Sequence, residues 1–102
     1  MIRVVSKCFL KDDTTETREA TLEILKPLVE ATRKEKGNIS YEIVGLMSDP
    51  QVLALVELWE SMEPLDAHTE TEHFKKYVPQ LESNLLPPGP DGPPIEFFEV
   101  LF

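Results

Sequence analysis

Residues 51–60, QVLALVELWE, are the stretch on which the fold turns. Alternation puts Val52, Ala54, Val56 and Leu58 on one face and Leu53, Leu55, Glu57 and Trp59 on the other. Both faces are largely apolar, so the strand they form needs cover on both sides. The helices of one chain cover one side of a sheet, and the sheet of a second copy is the simplest cover for the other. Just upstream, Asn38–Leu46 (NISYEIVGL) reads as another strand, joined to the first through a turn at Ser48-Asp49-Pro50. Further back, Met1–Leu10 (MIRVVSKCFL) is a half-buried strand, and Lys11-Asp12-Asp13 turns the chain. Asp13 followed by Glu16 resembles a capping box, and Leu22, Leu25, Leu28, Val29 and Thr32 then recur at helical spacing as far as Gly37. Pro27 sits inside that pattern, where a missing donor predicts a bend or a local break.

Downstream, Ser61 opens a short helix through about His68, with Pro64 tolerated in its first turn. A further helix runs from about Glu72 to Leu85 on the stripe Phe74, Tyr77, Val78, Leu81 and Leu85. Pro87-Pro88-Gly89-Pro90-Asp91-Gly92-Pro93-Pro94 is donor-poor and stiff, an extended connector to a last strand at Ile95–Phe102 (IEFFEVLF). The order is β-α-β-β-α-β with the second helical segment broken in two. That describes a ferredoxin-like α+β sandwich, one domain over residues 1–102.

A chain of 102 residues is too short for two domains and buries roughly 60–65% of its unfolded surface, which again favours an oligomer. Ten Lys or Arg against 19 Asp or Glu give a formal charge of -9. No basic footprint exists for nucleic acid or an anionic membrane. The single cysteine, Cys8, forms no internal disulfide, so a reducing cytoplasm is the expected home. Polar residues interrupt the first ten positions, which do not read as a secretion signal. The longest apolar run, Val52–Val56, is far too short to span a bilayer.

Three stretches carry a family likeness. They are Lys26–Glu42 (KPLVEATRKEKGNISYE), Glu57–Ser61 (ELWES), and Leu65–His68 (LDAH) followed by Thr71–Phe74 (TEHF) and Tyr77. In this order they span about half the chain, and with them the sequence resembles the antibiotic biosynthesis monooxygenase family, in its small quinol-monooxygenase-like branch. The resemblance implies a homodimer with sheets packed face to face and a pocket between each sheet and its helices. It also implies oxidation of a quinol, anthrone or polyketide-like aromatic by O2, with no metal, flavin or other cofactor. Other members of the superfamily degrade haem or rearrange sugar-derived signals. Haem is disfavoured here, because Val78 stands where haem-degrading relatives carry a ligating histidine. The length of the Pro87–Pro94 connector departs from the family.

His68 falls where the family places a pocket histidine, and an imidazole can take a phenolic proton near neutral pH. Its bland alternative is a histidine that only bonds across a helix junction. Trp59 is either an aromatic wall with an indole donor or a large core residue. Tyr41 and Tyr77 offer phenols to a quinol or ketone oxygen, Phe74 a ring to hold the substrate, and Asn38 an amide to orient it, with core packing the alternative for Tyr77. His73, five positions from His68, is a weaker candidate for the same pocket. Glu57 is out of place on an apolar strand, and a structural ion pair with Arg33 or Arg3 is the expectation. Two histidines and one cysteine make no metal-ligand cluster, and Glu70, Glu72 and His73 read as a solvated turn. No Gly-rich phosphate loop or Ser/Cys nucleophile beside a base is evident. The rival readings are an isomerase of a small phosphorylated or keto sugar, which needs a cation near His68, and a non-enzymatic binding module for a hydrophobic metabolite.

Overall fold

A computed structural model describes all residues, 1–102. Strand β1 (Ile2–Phe9) leads to helix α1 (Thr15–Thr32), strands β2 (Asn38–Gly45) and β3 (Val52–Trp59), helices α2 (Met62–His68) and α3 (Glu72–Tyr77), a 3₁₀ helix (Val78–Asn84) and strand β4 (Ile95–Glu99). The sheet order is β2-β3-β1-β4, and every neighbouring pair is antiparallel. β1 and β2 are therefore parallel to each other with β3 inserted between them, the split βαβ of a ferredoxin-like α+β sandwich. No helix is long and apolar enough to cross a membrane.

Local chemistry moves several boundaries away from the sequence reading. Thr14, not Asp13, caps α1: its hydroxyl accepts from the Thr17 N–H at 3.3 Å and donates to Asp12 at 2.7 Å. α1 passes through Pro27 unbroken and stops at Thr32, several residues before Gly37. Gly37 instead turns the chain into β2 with a φ of +88°, and a Cβ there would run into the ring of Pro64. A side chain at that point would thus force α2 off the start of β2. The last helix is shorter than its apolar stripe suggests. Pro79 lacks an N–H and its ring crowds the preceding turn, so α3 ends at Tyr77 and the stripe continues as a 3₁₀ helix. β4 ends at Glu99, short of Phe102.

The core lies between the sheet and the helices. Leu25 and Leu28 of α1, Tyr41 of β2, Leu55 and Trp59 of β3, and Leu65 and Leu81 from the later helices meet there. A fully buried leucine such as Leu25 contributes about 2–3 kcal/mol of transfer free energy. On β3 the alternation separates the faces: Leu53, Leu55, Glu57 and Trp59 are buried against the helices, while Ala54, Val56 and Leu58 are only half-buried. Val56 sits opposite Val5, and Leu58 opposite Arg3, with Phe98 on the other side of Arg3. This apolar outer face carries no helix of its own chain.

Candidate active site

A cavity of about 750 Å³ opens between the helix-facing side of the sheet and the later helices. β1 supplies Val4 and Cys8 to its wall, β2 supplies Tyr41, and β3 supplies Leu55 and Glu57. His68 enters from the last turn of α2, Phe74 from α3, and Ile95 and Phe97 from β4. The Pro-rich connector forms its rim through Pro87, Pro88, Pro93 and Pro94. A tight turn in which the Gly92 N–H donates to Gly89 at 3.0 Å folds the connector back on itself, with Gly92 at a φ of +85°.

The α2–α3 corner fixes His68. The Thr71 hydroxyl donates to the His68 carbonyl at 2.7 Å and also caps α3 by accepting from the Phe74 N–H. The imidazole is 3% exposed and packs on the rings of Trp59 (5.0 Å between centroids), Phe74 (5.1 Å) and Tyr41 (5.6 Å). Its Nδ1 lies 2.8 Å from the Glu35 carboxylate. A carboxylate accepts and does not donate, so Nδ1 carries the hydrogen and the lone pair sits on Nε2. Nε2 has no hydrogen-bond partner in the protein, yet no buried polar side-chain atom is left unpaired and sealed off, so it opens to the cavity. Burial pushes the His68 pKa below its ordinary value, and the Glu35 hydrogen bond and charge oppose that shift without cancelling it. At pH 7 the ring is a neutral base.

Two more polar groups border the same space. The Glu57 carboxyl accepts from the Trp59 indole N–H at 2.9 Å through one oxygen; its other oxygen has no partner and is not sealed. Burial pushes its pKa up to about 7, the Trp59 bond pulls the other way, and the Glu35 charge adds to the rise. The Tyr41 phenol is held well above its usual value by burial, with the Glu57 and Glu35 charges behind it, and stays protonated. The Cys8 thiol is pushed up to about 11 by burial, which keeps it protonated at neutral pH.

Of the residues singled out from sequence, His68, Tyr41 and Phe74 border the cavity. Trp59 does not; it is fully buried behind the wall and acts on the cavity through its bond to Glu57 and its packing on the His68 ring. Tyr77 packs on the edge of the core, with the Lys76 ammonium 5.0 Å from its ring. The Asn38 amide donates to the carbonyls of Ser40 and Leu58 at the irregular start of β2 and takes no part in the cavity. His73 is not a solvated turn residue, for its Nε2 lies 2.6 Å from the same Glu35 oxygen that bonds His68. The ion pair expected for Glu57 does not form. Arg33 donates to the Tyr41 carbonyl at 2.9 Å, and Arg3 sits beside Leu58 in the register, on the opposite face from Glu57.

Glu35, His68 and His73 bring three potential metal ligands within 4.8 Å of one another, a grouping the sequence reading did not foresee. One Glu35 oxygen at 2.8 and 2.6 Å from the two ring nitrogens is spaced as a hydrogen-bond acceptor. Glu35 itself was missed because the turn after α1 delivers it from far along the chain. Glu57 had left one signal, a carboxyl on an otherwise apolar strand.

A four-stranded antiparallel sheet and one helical layer enclose an apolar cavity with a neutral histidine on its wall, the layout of an α+β sandwich with an internal pocket. The chain belongs to the antibiotic biosynthesis monooxygenase family, whose profile matches residues 1–80. The match stops short of the connector and β4. The protein named "Putative monooxygenase YcnE" from Bacillus subtilis (strain 168) is 30% identical over 63 residues, which is 62% of this chain and 66% of YcnE, just under two thirds of its length. The crystal structure of a conserved protein from Methanosarcina mazei Go1 is similar with a TM-score of 0.81 at 30% identity, covering 95% of this chain and 89% of that one. Rv0793 from Mycobacterium tuberculosis shares the fold with a TM-score of 0.83 at 23% identity, over 99% of this chain and 95% of that one.

The raised Glu57 pKa has a consequence for stability. Between 4.5 and about 7 the folded chain keeps a proton that the unfolded chain has released, so stability falls as pH rises through that window. At about 1.4 kcal/mol per pH unit the full span is about 3 kcal/mol, an upper figure. Glu57→Gln keeps an acceptor for Trp59 without the titration. Thermal melts are expected to show the variant near wild type at pH 4 and clearly more stable at pH 8. A difference in Tm that is the same at both pH values would contradict this.

Proposed function

We propose that the chain is a monooxygenase of an electron-rich aromatic, a quinol, anthrone or polyketide-like phenol, and that it uses O2 without metal, flavin or other prosthetic group. The observation that carries this reading is the free Nε2 of a buried, neutral His68 at the wall of an apolar cavity of about 750 Å³, within the range of small-molecule sites. Family membership supports the reaction class. His68 takes the acidic proton of the substrate, and the resulting anion is electron-rich enough to pass an electron to O2. The protonated Tyr41 hydroxyl donates to a substrate oxygen, and Phe74 stacks on the ring. Dry walls keep water from the intermediate.

The isomerase reading has less support. The one lysine at the cavity's edge, Lys7, stands opposite Ala54 on the outer face of the sheet, while Asp66 and Glu82 border the cavity, so a phosphorylated sugar would meet no cation to hold it. The binding-module reading is separated by experiment. Oxygen uptake by metal-free protein with a panel of quinols and anthrones is expected to exceed autoxidation and to fall roughly a hundredfold to ten-thousandfold in His68→Ala. No uptake, or full uptake by His68→Ala, would contradict the proposal; undiminished binding without turnover would favour the module.

The same reading includes a homodimer packed through the outer face of the sheet. Its support is the row of Val5, Val56 and Leu58, half-buried and uncovered, beside Val44 at 40% and Phe98 at 47% exposure. Light scattering at micromolar concentration is expected to give a dimer, and Val56→Asp to weaken it strongly. A well-folded wild-type monomer at that concentration would sink this assembly.

A further inference from the structure

We propose that Glu57 is a second catalytic group of the cavity, the acid that protonates the oxygen-derived end of the substrate while His68 serves as the base. This rests on the monooxygenase reading and deepens it. The placement is the first argument. Glu57 is 5% exposed, its only hydrogen-bond partner is the Trp59 indole, and its second oxygen is free at the cavity wall. Trp59 and Tyr41 connect it with His68. The Trp59 indole bonds Glu57 at 2.9 Å and its ring packs 5.0 Å from the His68 ring. Tyr41 is the cross-strand neighbour of Glu57 and packs 5.6 Å from the same imidazole. No Lys or Arg reaches Glu57, so a buried carboxyl is kept without the cation that would hold it ionised as a structural pair.

The chemistry of the two groups is the second argument. Burial moves them in opposite senses, His68 toward a neutral imidazole and Glu57 toward a neutral carboxyl, which is how one site holds a base and an acid together. Glutamine at position 57 would serve the Trp59 indole equally well; what it lacks is a proton to give.

For a substrate whose reactive CH₂ shares a central ring with a ketone and is flanked by two phenol-bearing rings, the cycle balances. His68 Nε2 removes one C–H proton and leaves a carbanion. One electron passes to O2, and recombination of the radical pair forms the C–O bond of a peroxide anion. The Glu57 carboxyl protonates the terminal oxygen to give the hydroperoxide. The Glu57 carboxylate then removes the second C–H proton as C=O forms and the O–O bond breaks. The departing hydroxide takes the proton from His68 and leaves as water. The CH₂ has become C=O, O2 has supplied the carbonyl oxygen and one water, and both residues are reset.

The test compares wild type, Glu57→Gln and Glu57→Asp with 1,8-dihydroxyanthrone as probe. Without oxygen, Glu57→Gln is expected to form the bound anion as wild type does, which shows a folded site and an intact His68 step. On mixing with O2, its quinone formation is expected to fall roughly a hundredfold, with Glu57→Asp retaining part of the rate. The loss of wild-type rate as pH rises past about 7 is expected to disappear in Glu57→Gln. Wild-type turnover with an unchanged rate and pH profile in Glu57→Gln overturns the inference alone, as does loss of anion formation in that variant. No turnover by wild type overturns the monooxygenase reading beneath it.

Discussion

The contact between the Glu35 carboxylate and His68 Nδ1, 2.8 Å long and shielded from water, is the constraint on which the site depends. A neutral imidazole has one donor and one acceptor nitrogen, and whichever nitrogen meets a carboxylate must be the donor. Fixing the hydrogen on Nδ1 therefore fixes the lone pair on Nε2, toward the cavity. A hydrogen bond to a charged group contributes about 1.5–3 kcal/mol, enough to hold one tautomer and one ring orientation. The same bond keeps the ring from losing its basicity entirely, since burial lowers the pKa while the carboxylate raises it. His73 shares the Glu35 oxygen from the more exposed side, so the carboxylate is held from two directions.

The sheet makes this arrangement possible because β3 uses its two faces differently. Its helix-facing residues close the core with Trp59 and border the cavity with Leu55 and Glu57. Its other face, Ala54, Val56 and Leu58, contributes nothing to the site and is only half-buried, with no helix of the chain upon it. Burying Glu57 costs stability at neutral and higher pH, and a carboxyl on a core strand without a cation is tolerated by staying protonated.

Much of this was legible in the residues. The alternation of QVLALVELWE decided the sheet and its two-sided apolarity, and the helical spacing of Leu25, Leu28 and Val29 placed α1. His68, Tyr41 and Phe74 were recognisable because a family pattern marks them, and all three border the cavity. Local rules missed what depends on distance. Glu35 is 33 residues from His68, and no spacing rule links a carboxylate after one helix to an imidazole at the end of another. Glu57 was noticed as an oddity, but its partner was misjudged because register, not sequence, sends Arg3 to the opposite face and gives Trp59 the bond. Pro79 was the neglected signal for the early end of α3, since an apolar stripe continues through a 3₁₀ helix as readily as through an α-helix.

The site turns on the protonation state of His68, which nitrogen NMR of the imidazole resolves atom by atom. With ¹⁵N-histidine-labelled protein at pH 7, His68 is predicted to show a protonated Nδ1 and an unprotonated Nε2, and to lose that Nδ1 preference in Glu35→Gln. A doubly protonated ring, or a hydrogen on Nε2, would contradict the account, because no lone pair would then face the cavity.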